Sequence, residues 1–376
     1  MEHYLDNAAT TAVCPEAAEA ALQAMTACYG NPSSTHAKGR EAKKLLDRAR
    51  AQVCAALGCA PGELVFTSCG SESDNWAILG GAEAMKRKGK HVVSSAVEHD
   101  AVRKSMEELT RRGYEVTYLR PDATGAIRPE DVKDALRPDT ILVSLMLVNN
   151  ETGAVTDIPG VSGVLREAGS PALLHTDAVQ AFMKLPFTPK SLGADLISVS
   201  GHKIHAPKGI GALYIRSGLK LRPYILGGAQ EEGRRAGTEA MPQIAAFGAA
   251  CALAKAHLPE NAARMAALKQ SCLDQLGAAI PELRWVESAA PHILNLSLPG
   301  FRSEVLMNFL EAQEVYVSKS SACKKGARSH VLEAIGLDAR TIDGAIRVGL
   351  SRYTTQEDID ALCAGLITAH RTLAHR

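Results

Sequence analysis

Short apolar segments alternate with amphipathic stretches along the chain, and this alternation predicts an α/β fold. Apolar runs of strand length are followed by stretches with helical spacing of apolar residues, at 72–86, 102–112 and 161–168. The strands predicted in this part of the chain are 64–67, 91–95, 141–148, 172–176, 196–200 and 210–215. Because helical crossovers join parallel strands, we expect a mainly parallel sheet that is covered by helices on both faces.

A second unit is predicted to begin near residue 256. It has its own strand signals at 293–298, 315–318 and 346–350, and a closing helix runs from the cap at Thr355 and Asp358 toward Ala369. We therefore expect a large domain over residues 14–255. Residues 1–13 and 256–376 are expected to form a small α+β domain.

Polar residues follow five of the predicted strands at the point where each strand ends. In open α/β sheets, ligands bind beyond the carboxyl ends of the strands. If these strands are parallel, the five groups meet in one crevice, which predicts a cofactor site. The groups are Ser68–Ser71, Glu98 with His99, 149–153, Asp177 with Gln180, and 200–203.

Each of these groups also has an ordinary structural explanation. Gly70 and Ser71 could form a turn at a helix start, although free amides at such an N-terminus also bind phosphate. Asn150 suits a turn, and Asp177 suits a helix cap. Lys203 is harder to explain in this way, because a lysine directly after a buried strand is costly unless it has a purpose. The coincidence of five groups favours a functional site.

Composition narrows the possible functions. Apolar residues make up 46% of the 376 residues, and Lys plus Arg number 42 against 41 Asp plus Glu. A net charge of +1 offers no general attraction for nucleic acid or an anionic membrane, so neither is predicted as a partner. The longest apolar run, at 244–254, is too short to span a bilayer, and the N-terminus lacks a signal-peptide pattern. We therefore expect a cytoplasmic protein.

The cysteines and histidines give no metal-site pattern. The nine cysteines contain no C-x-x-C pair, which argues against a zinc ribbon or a disulfide framework. His202 and His205 are three residues apart, but Pro207 opposes a helix that would present both rings. No bound metal is predicted.

Several segments together resemble the cysteine desulfurases of the long-loop class, which are pyridoxal-phosphate (PLP) enzymes of the aspartate-aminotransferase fold. The resemblance is carried, in chain order, by YLDNAATT (4–11), GNPSS (30–34), FTSCGSESDN (66–75), VNNETG (148–153), HTDAVQ (175–180), SVSGHK (198–203), GG (227–228), RAGT (235–238), SAC (321–323) and Arg347. It implies that residues 14–255 form the PLP-binding domain.

The resemblance also implies a role for each residue. Lys203 would form a Schiff base with the cofactor aldehyde and act as a base once freed from it. Asp177 would lie against the pyridine nitrogen, while His99 would stack on the ring and transfer protons. Arg347 would bind the substrate carboxylate, together with Asn150. The remaining cofactor contacts implied are Gln180 at the phenolic oxygen, and Gly70, Ser71, Ser200, His202 and, across a homodimer interface, Thr238 at the phosphate.

Cys323 distinguishes the desulfurases from their relatives. A cysteine chosen at random is more often a buried structural residue, but Cys323 stands among small and basic residues, and Lys324 and Lys325 favour its thiolate. The resemblance implies that this thiolate takes sulfur from L-cysteine as a persulfide, leaving L-alanine, and delivers it to an acceptor protein. The small domain would carry the loop that holds it.

Departures from the family pattern leave the acceptor open. Ser320 replaces the usual glycine, Lys319 precedes it, and little sequence follows the last predicted helix. The sequence therefore allows either an iron–sulfur scaffold or a tRNA-thiolation protein as acceptor. A selenocysteine lyase or aminotransferase would need Lys203 and Asp177 but not Cys323. A non-catalytic scaffold protein would need none of the three.

Overall fold

A large parallel sheet and two smaller sheets organise the chain in the computed structural model, which describes residues 2–319 and 328–373. The strands are β1 (His3–Tyr4), β2 (Leu64–Thr67), β3 (His91–Ser95), β4 (Glu115–Leu119), β5 (Thr140–Ser144), β6 (Leu173–Asp177), β7 (Leu196–Ser200), β8 (Gly211–Ile215), β9 (Arg284–Val286), β10 (Ile293–Ser297), β11 (Val315–Tyr316), β12 (Ser318–Lys319) and β13 (Ala345–Gly349).

The helices account for most of the remaining chain. They are α1 (Pro15–Thr26), α2 (Ala37–Leu57), α3 (Gly70–Asn75), α4 (Gly81–Met85), α5 (Asp100–Arg111), α6 (Pro129–Ala135), α7 (Ile158–Glu167), α8 (Pro189–Leu192), α9 (Met241–Ala256), α10 (Leu258–Ala279), α11 (Ser303–Glu311), α12 (His330–Ala334), α13 (Ala339–Asp343) and α14 (Gln356–Thr372). A π-helical turn, Trp76–Gly80, joins α3 to α4.

The large sheet has the strand order β2-β8-β7-β6-β5-β3-β4. Neighbouring strands are parallel except at β8, which is antiparallel to both β2 and β7. Because β8 is reversed between them, β2 and β7 point the same way, so the carboxyl ends of all the strands that precede polar groups lie at one edge. This confirms the predicted mainly parallel α/β fold.

Three local predictions differ from the structure. The strand predicted at 141–148 ends at Ser144, because the chain then turns along the edge of the sheet. β4 has no counterpart among the predicted strands, since it is a partly exposed edge strand without a continuous apolar run. The strand predicted at 210–215 runs antiparallel, because the short connection from β7 leaves no room for a crossover.

The second part of the chain forms the antiparallel sheet β12-β13-β10-β9. The N-terminal strand β1 pairs in parallel with β11, and Asp6 bridges to Gly349 at the end of β13. The closing helix begins as predicted: the Thr355 side chain accepts from the Asp358 amide, and the Thr355 amide donates to the Asp358 carboxylate at 2.8 Å.

The large mainly parallel sheet and the small antiparallel sheet each have their own large cluster of buried side chains. One is centred on the large sheet and α9, and the other contains α10, α14 and the antiparallel sheet. Leu5 belongs to the second cluster, whereas Ala8 belongs to the first. Among the described helices, none combines the length and the apolar character needed to cross a membrane.

Candidate active site

A cavity of about 470 Å³ lies at the carboxyl ends of the parallel strands. Each of the five polar groups that follow the strands contributes to its lining, as the sequence predicts. The predicted site residues that line it are Gly70, Ser71, His99, Asn150, Asp177, Gln180, Ser200, His202, Lys203 and Arg347. Residues almost three hundred positions apart thus meet in one cavity.

Lys203 follows β7 in a tight 3-10 turn at the cavity floor. Its Nζ donates to the backbone oxygens of Ala8 at 2.7 Å and Ala9 at 2.6 Å. Desolvation, together with the positive charge of Arg347, lowers the pKa of this amine to about 8. An amine with such a pKa is neutral more often than an ordinary lysine, which makes it a better nucleophile and base.

Asp177 ends β6 and is buried, with Oδ1 accepting from the Val179 amide at 2.9 Å. Burial raises its carboxyl pKa, whereas the nearby His99 and Lys203 favour the ionised form. Gln180, one residue beyond Val179, donates from Nε2 to the Ala8 oxygen at 2.9 Å, and its buried Oε1 has no partner among the described residues. Both side chains therefore keep acceptor atoms for a ligand in the cavity.

Gly70 begins α3 at the point where that helix faces the end of β7. A Cβ atom at this position would lie 2.8 Å from the Val179 Cγ2 atom and 3.4 Å from the Ser200 Cβ atom, so only glycine fits without a shift. The buried Ser200 Oγ has no partner among the described residues. His202 lies beside it with a pKa lowered to about 4 by burial, so its ring is neutral and hydrogen-bonds to Thr10 at 3.2 Å.

His99 caps α5, with Nδ1 accepting from the Ala101 amide at 3.1 Å. Nδ1 is therefore the ring atom without a proton, and Nε2 is the atom available to the cavity. The nearest ligand atoms of His99, Asp177 and Asp74 lie within 4.8 Å of one another. These side chains are of the types that hold metal ions, and they also form a polar wall that can hold an aromatic ring nitrogen.

Arg347 comes from β13 and enters the cavity from the side of the small sheet. The residue is 2% exposed, and its guanidinium donates to the Asn150 backbone oxygen at 2.9 Å, Ser318 Oγ at 2.9 Å and Asp6 Oδ1 at 3.3 Å. Its Nε has no partner among the described residues. A buried guanidinium with a free donor is suited to a carboxylate ligand.

Three buried carboxyls in the cavity, Asp74, Glu98 and Glu151, were given no role by the sequence, although Glu98 and Glu151 belong to the polar groups predicted to meet there. Asp74 lies one helical turn after Gly70, which places both on one face of the helix. Burial raises the pKa of Glu98 to about 8 and that of Glu151 to about 7. The adjacency of these glutamates to His99 and Asn150 was the available signal. His330 at the start of α12, which also lines the cavity, had no sequence signal of this kind.

Among the described residues, Thr238 is the predicted site residue that does not line the cavity. Thr238 is exposed and is absent from the cavity wall of this single chain. Cys323 lies outside the described residues, as do Ser320, Lys324 and Lys325.

A wider depression of about 610 Å³ lies between Lys269 and Trp285, away from the strand ends. The Lys269 ammonium makes three hydrogen bonds there, to the oxygens of Ser288 and Ala290. Because its donors are satisfied within the protein, this depression is a poorer candidate for the site of chemistry.

The buried polar atoms without hydrogen-bond partners and the space left by the absent side chain of Gly70 fit PLP. Gln180 Oε1 and Ser200 Oγ are buried without partners among the described residues, and the missing Cβ of Gly70 leaves room beside Ser200. An amine of lowered pKa and a buried carboxylate complete the set of groups that this cofactor needs. The residues present therefore fit the cofactor implied by the resemblance.

Comparisons with known proteins agree with this chemistry. The family model described as aminotransferase class-V matches residues 3–362. The chain is 41% identical to the cysteine desulfurase IscS of Methanosarcina thermophila, over 95% of this chain and 89% of that protein. It is 43% identical to cysteine desulfurase 2 of Trichormus variabilis, over 95% of this chain and 90% of that protein. It is also similar to a solved NifS-like protein, with a TM-score of 0.93 and 35% identity over 99% of this chain and 100% of the other. Since the matches run through both parts of the chain and the cavity suits the cofactor, this chain belongs to the class-V aminotransferases and, among them, to the PLP-dependent cysteine desulfurases.

Proposed function

We propose that this chain takes sulfur from L-cysteine, carries it on Cys323 as a persulfide and releases L-alanine. The observation that carries the proposal is the joint position of Lys203, Asp177 and Arg347 around one cavity. These residues supply an amine, a carboxylate and a guanidinium, which are the groups needed for cofactor attachment, cofactor tuning and binding of an amino acid.

Arg347 and Asn150 bind and orient the substrate. The guanidinium meets the substrate carboxylate with its free donors, while its contact with the Asn150 oxygen fixes the plane of the group. This orientation directs the substrate Cα toward Lys203. The cavity wall from the small sheet thus determines which bond of the substrate faces the amine.

Lys203 and His99 move the protons. When bound, PLP withdraws electrons from the substrate Cα and so makes its proton acidic. Lys203 Nζ accepts that proton, because its lowered pKa leaves a larger neutral fraction near pH 8. His99 uses Nε2 for a second transfer, since its Nδ1 already accepts from the Ala101 amide.

The other cavity residues hold the cofactor in place. Asp177 would lie against the ring nitrogen, and Gln180 would lie at the phenolic oxygen. The phosphate would be held by Gly70, Ser71, Ser200 and His202. The free hydroxyl of Ser200 and the first amides of α3 support this assignment, since helix N-termini bind phosphate.

Sulfur transfer is assigned to Cys323. Its thiolate attacks the substrate sulfur and forms an S–S bond, while the Cβ–S bond breaks and Cβ takes a proton to give alanine. The neighbouring Lys324 and Lys325 support this role, because nearby positive charge favours the thiolate. The persulfide is then passed to an acceptor protein, either an iron–sulfur scaffold or a tRNA-thiolation protein.

We further propose a cytoplasmic homodimer that needs neither nucleic acid nor a membrane. Thr238 is exposed and lies outside the cavity wall of its own chain, which supports a contact between Thr238 and the phosphate bound by a second copy. Exposed apolar side chains such as Leu22, Met25 and Leu226 offer surface for that contact. The described cysteines are all free thiols, which suits a reducing compartment.

The same proposal divides the chain into a large PLP-binding domain, 14–255, and a small domain made of 1–13 and 256–376. The separate buried clusters and the pairing of β1 with β11 support this division. The site would then lie where the two domains meet.

Mass spectrometry after mixing with L-cysteine tests the proposal. We expect one added sulfur atom on Cys323 and equimolar alanine. Cys323→Ala should lose both while keeping the cofactor absorbance, and Lys203→Ala should lose the absorbance as well. Alanine formation at the normal rate by Cys323→Ala would contradict the persulfide route, and a colourless protein that PLP cannot reconstitute would favour a scaffold protein.

A further inference from the structure

The stretch 320–327, which contains the sulfur-carrying cysteine, is flanked by residues that contact the cavity wall. Before this stretch, Ser318 on β12 pairs with Arg347 on β13, and Ser318 Oγ accepts from Arg347 Nη2 at 2.9 Å. After it, Ser329 Oγ donates to Glu151 Oε2. Arg347 and Glu151 both line the cavity, so the chain is held beside the cavity on each side of the stretch.

The bond between Ser329 and Glu151 is separate from the cap of α12. Ser329 Oγ accepts from the Leu332 amide at 3.1 Å, which caps the helix, and its hydroxyl hydrogen goes to the Glu151 carboxyl. Ser329 is 2% exposed and Glu151 is 5% exposed, so this bond is shielded from water. Because capping needs only the serine oxygen, the bond to Glu151 is an additional contact. It joins the start of α12 to the loop 149–153.

This loop is itself held in place by buried hydrogen bonds. Asn149 Oδ1 accepts from the amides of Glu151 and Thr152 at 2.9 Å each, and Asn149 Nδ2 donates to the Val97 oxygen at 3.0 Å. The Glu151 backbone oxygen accepts from Asn295 Nδ2 at 3.1 Å. A contact with Glu151 is therefore a contact with a fixed point of the cavity wall.

A buried carboxyl is a costly way to hold the end of a helix. Burial raises the pKa of Glu151 to about 7, although Ser329 and Arg347 both favour its ionised form. An apolar side chain of similar size would hold α12 against the loop without this cost. A hydrogen bond differs from an apolar contact in that it fixes both the distance and the direction of its partner. The carboxyl is thus explained if the exact position of Ser329 matters.

The covalent chain limits how far Cys323 can lie from these contacts. Cys323 comes five residues after Ser318 and six residues before Ser329. At full extension, the chain reaches about 18 Å from the first of these residues and about 22 Å from the second. A fixed position for Ser329 therefore restricts Cys323 to the surroundings of the cavity. Such a restriction raises the effective concentration of its thiolate at the substrate sulfur.

We propose that Glu151 and Ser329 are positioning residues for the sulfur-transfer step, because their hydrogen bond fixes the chain after Cys323 against the loop that orients the substrate. The preceding residue, Asn150, accepts from Arg347 through its backbone oxygen. One loop thus orients the group that binds the substrate carboxylate and also the chain that carries the attacking thiolate. This inference rests on the proposed function of Cys323.

Single-turnover mass spectrometry measures the step itself. The PLP-loaded protein is mixed with L-cysteine, quenched at intervals and analysed for an added sulfur atom on Cys323. Glu151→Ala should slow its appearance about tenfold, which corresponds to the loss of one hydrogen bond to a charged group. Glu151→Gln keeps an acceptor oxygen for Ser329 and should restore most of the rate. Ser329→Ala should be at least as slow as Glu151→Ala, and the double variant should be no slower than Ser329→Ala.

Two further measurements separate positioning from substrate binding and from stability. The change in cofactor absorbance during titration with L-alanine gives the affinity for an amino acid, which should be unchanged in Glu151→Ala. Asp338→Ala is the matched control for the loss of a helix cap, because Asp338 caps α13 through the Thr341 amide at 3.0 Å and does not line the cavity. It should form the persulfide at the normal rate.

The outcomes distinguish this inference from the function on which it rests. A normal rate of persulfide formation in Glu151→Ala, or a rate in Glu151→Gln as low as that in Glu151→Ala, would overturn the positioning role. An equal slowing in Asp338→Ala, or a loss of L-alanine affinity as large as the loss of rate, would overturn it as well. If the natural protein forms no persulfide on Cys323, the proposed function itself is wrong.

Discussion

Replacing Arg347 by lysine is the most direct test of substrate binding in the cavity. The guanidinium has five N–H donors, of which three bond to Asn150, Ser318 and Asp6. Among the described residues, the donors without a partner are Nε–H and one Nη1–H. These two point in different directions, so the substrate carboxylate can accept from one of them alone, or it can displace the 3.3 Å contact with Asp6 and bind side by side on Nε and Nη2.

The expected magnitude follows from this count. Lysine keeps the positive charge but offers a single nitrogen, so at least one charge-assisted hydrogen bond to the carboxylate is lost. Such a bond contributes about 1.5–3 kcal/mol. The KM for L-cysteine should therefore rise roughly tenfold to 150-fold. The kcat should change little, because the carboxylate interaction is present in both the ground state and the transition state.

Steady-state alanine formation with excess thiol reductant measures both constants. The cofactor absorbance of each variant confirms that PLP is still bound. Arg103→Lys is the matched control, because Arg103 lines the same cavity and pairs with Asp100. An unchanged KM in Arg347→Lys, or an equal rise in Arg103→Lys, would refute the assignment of Arg347 as the carboxylate-binding residue.

Two further predictions concern the cofactor site and a buried lysine. Gly70→Ala places a Cβ atom 2.8 Å from a Val179 methyl carbon, an overpacking of about 1–3 kcal/mol, so the unfolding midpoint of the cofactor-free protein should fall. Because relief of this clash shifts the start of α3, PLP titration should also show roughly tenfold weaker binding. Normal PLP affinity in this variant would show that the space between residue 70 and Val179 can accommodate a methyl group. Burial lowers the pKa of Lys184 to about 7, and its Nζ has no partner among the described residues. A lysine whose pKa is lower in the folded state lowers the free energy of unfolding most at pH values below that pKa, and has no such effect above its ordinary pKa of 10.5. Lys184→Met should therefore raise the free energy of unfolding by about 5 kcal/mol at pH 6 and by about 2 kcal/mol at pH 9. Denaturant midpoints at matched protein concentration measure this change in stability at each pH. Lys190→Met is the control: because Lys190 is exposed, its replacement should show no such dependence on pH. An increase in stability that does not depend on pH in Lys184→Met would contradict the ionisation argument.

The strands that the sequence predicted most closely are those buried on both faces. β2, β3 and β7 match their predicted bounds because each is a short, fully buried segment with apolar residues that is followed by polar residues. β4 was missed because it is a short edge strand that is only partly buried and has no continuous apolar run. The direction of β8 could have been predicted: the loop from Ser200 to Gly211 is shorter than a parallel crossover requires.

The cavity residues were predictable wherever the sheet itself determines their position. A polar residue that follows a parallel strand must lie at the ligand-binding edge, whichever residues surround it. The partners of the buried charged residues could not be predicted in this way, because they come from segments that meet only in the folded chain. Arg347 contacts Asp6 and Asn150 across the two buried clusters, and no periodic pattern in the sequence encodes that meeting.

Asp74 is an example of a cavity residue whose neighbours come from distant segments of the chain. In the sequence it is an acidic residue in the first turns of a helix, a position that usually reflects the helix dipole. In the folded protein the same carboxyl is buried close to Asp177 and His99, and its Oδ1 has no hydrogen-bond partner among the described residues. The start of α3 and the end of β6 therefore bring two acids into one cavity wall, and no pattern within either segment of the sequence predicts that meeting.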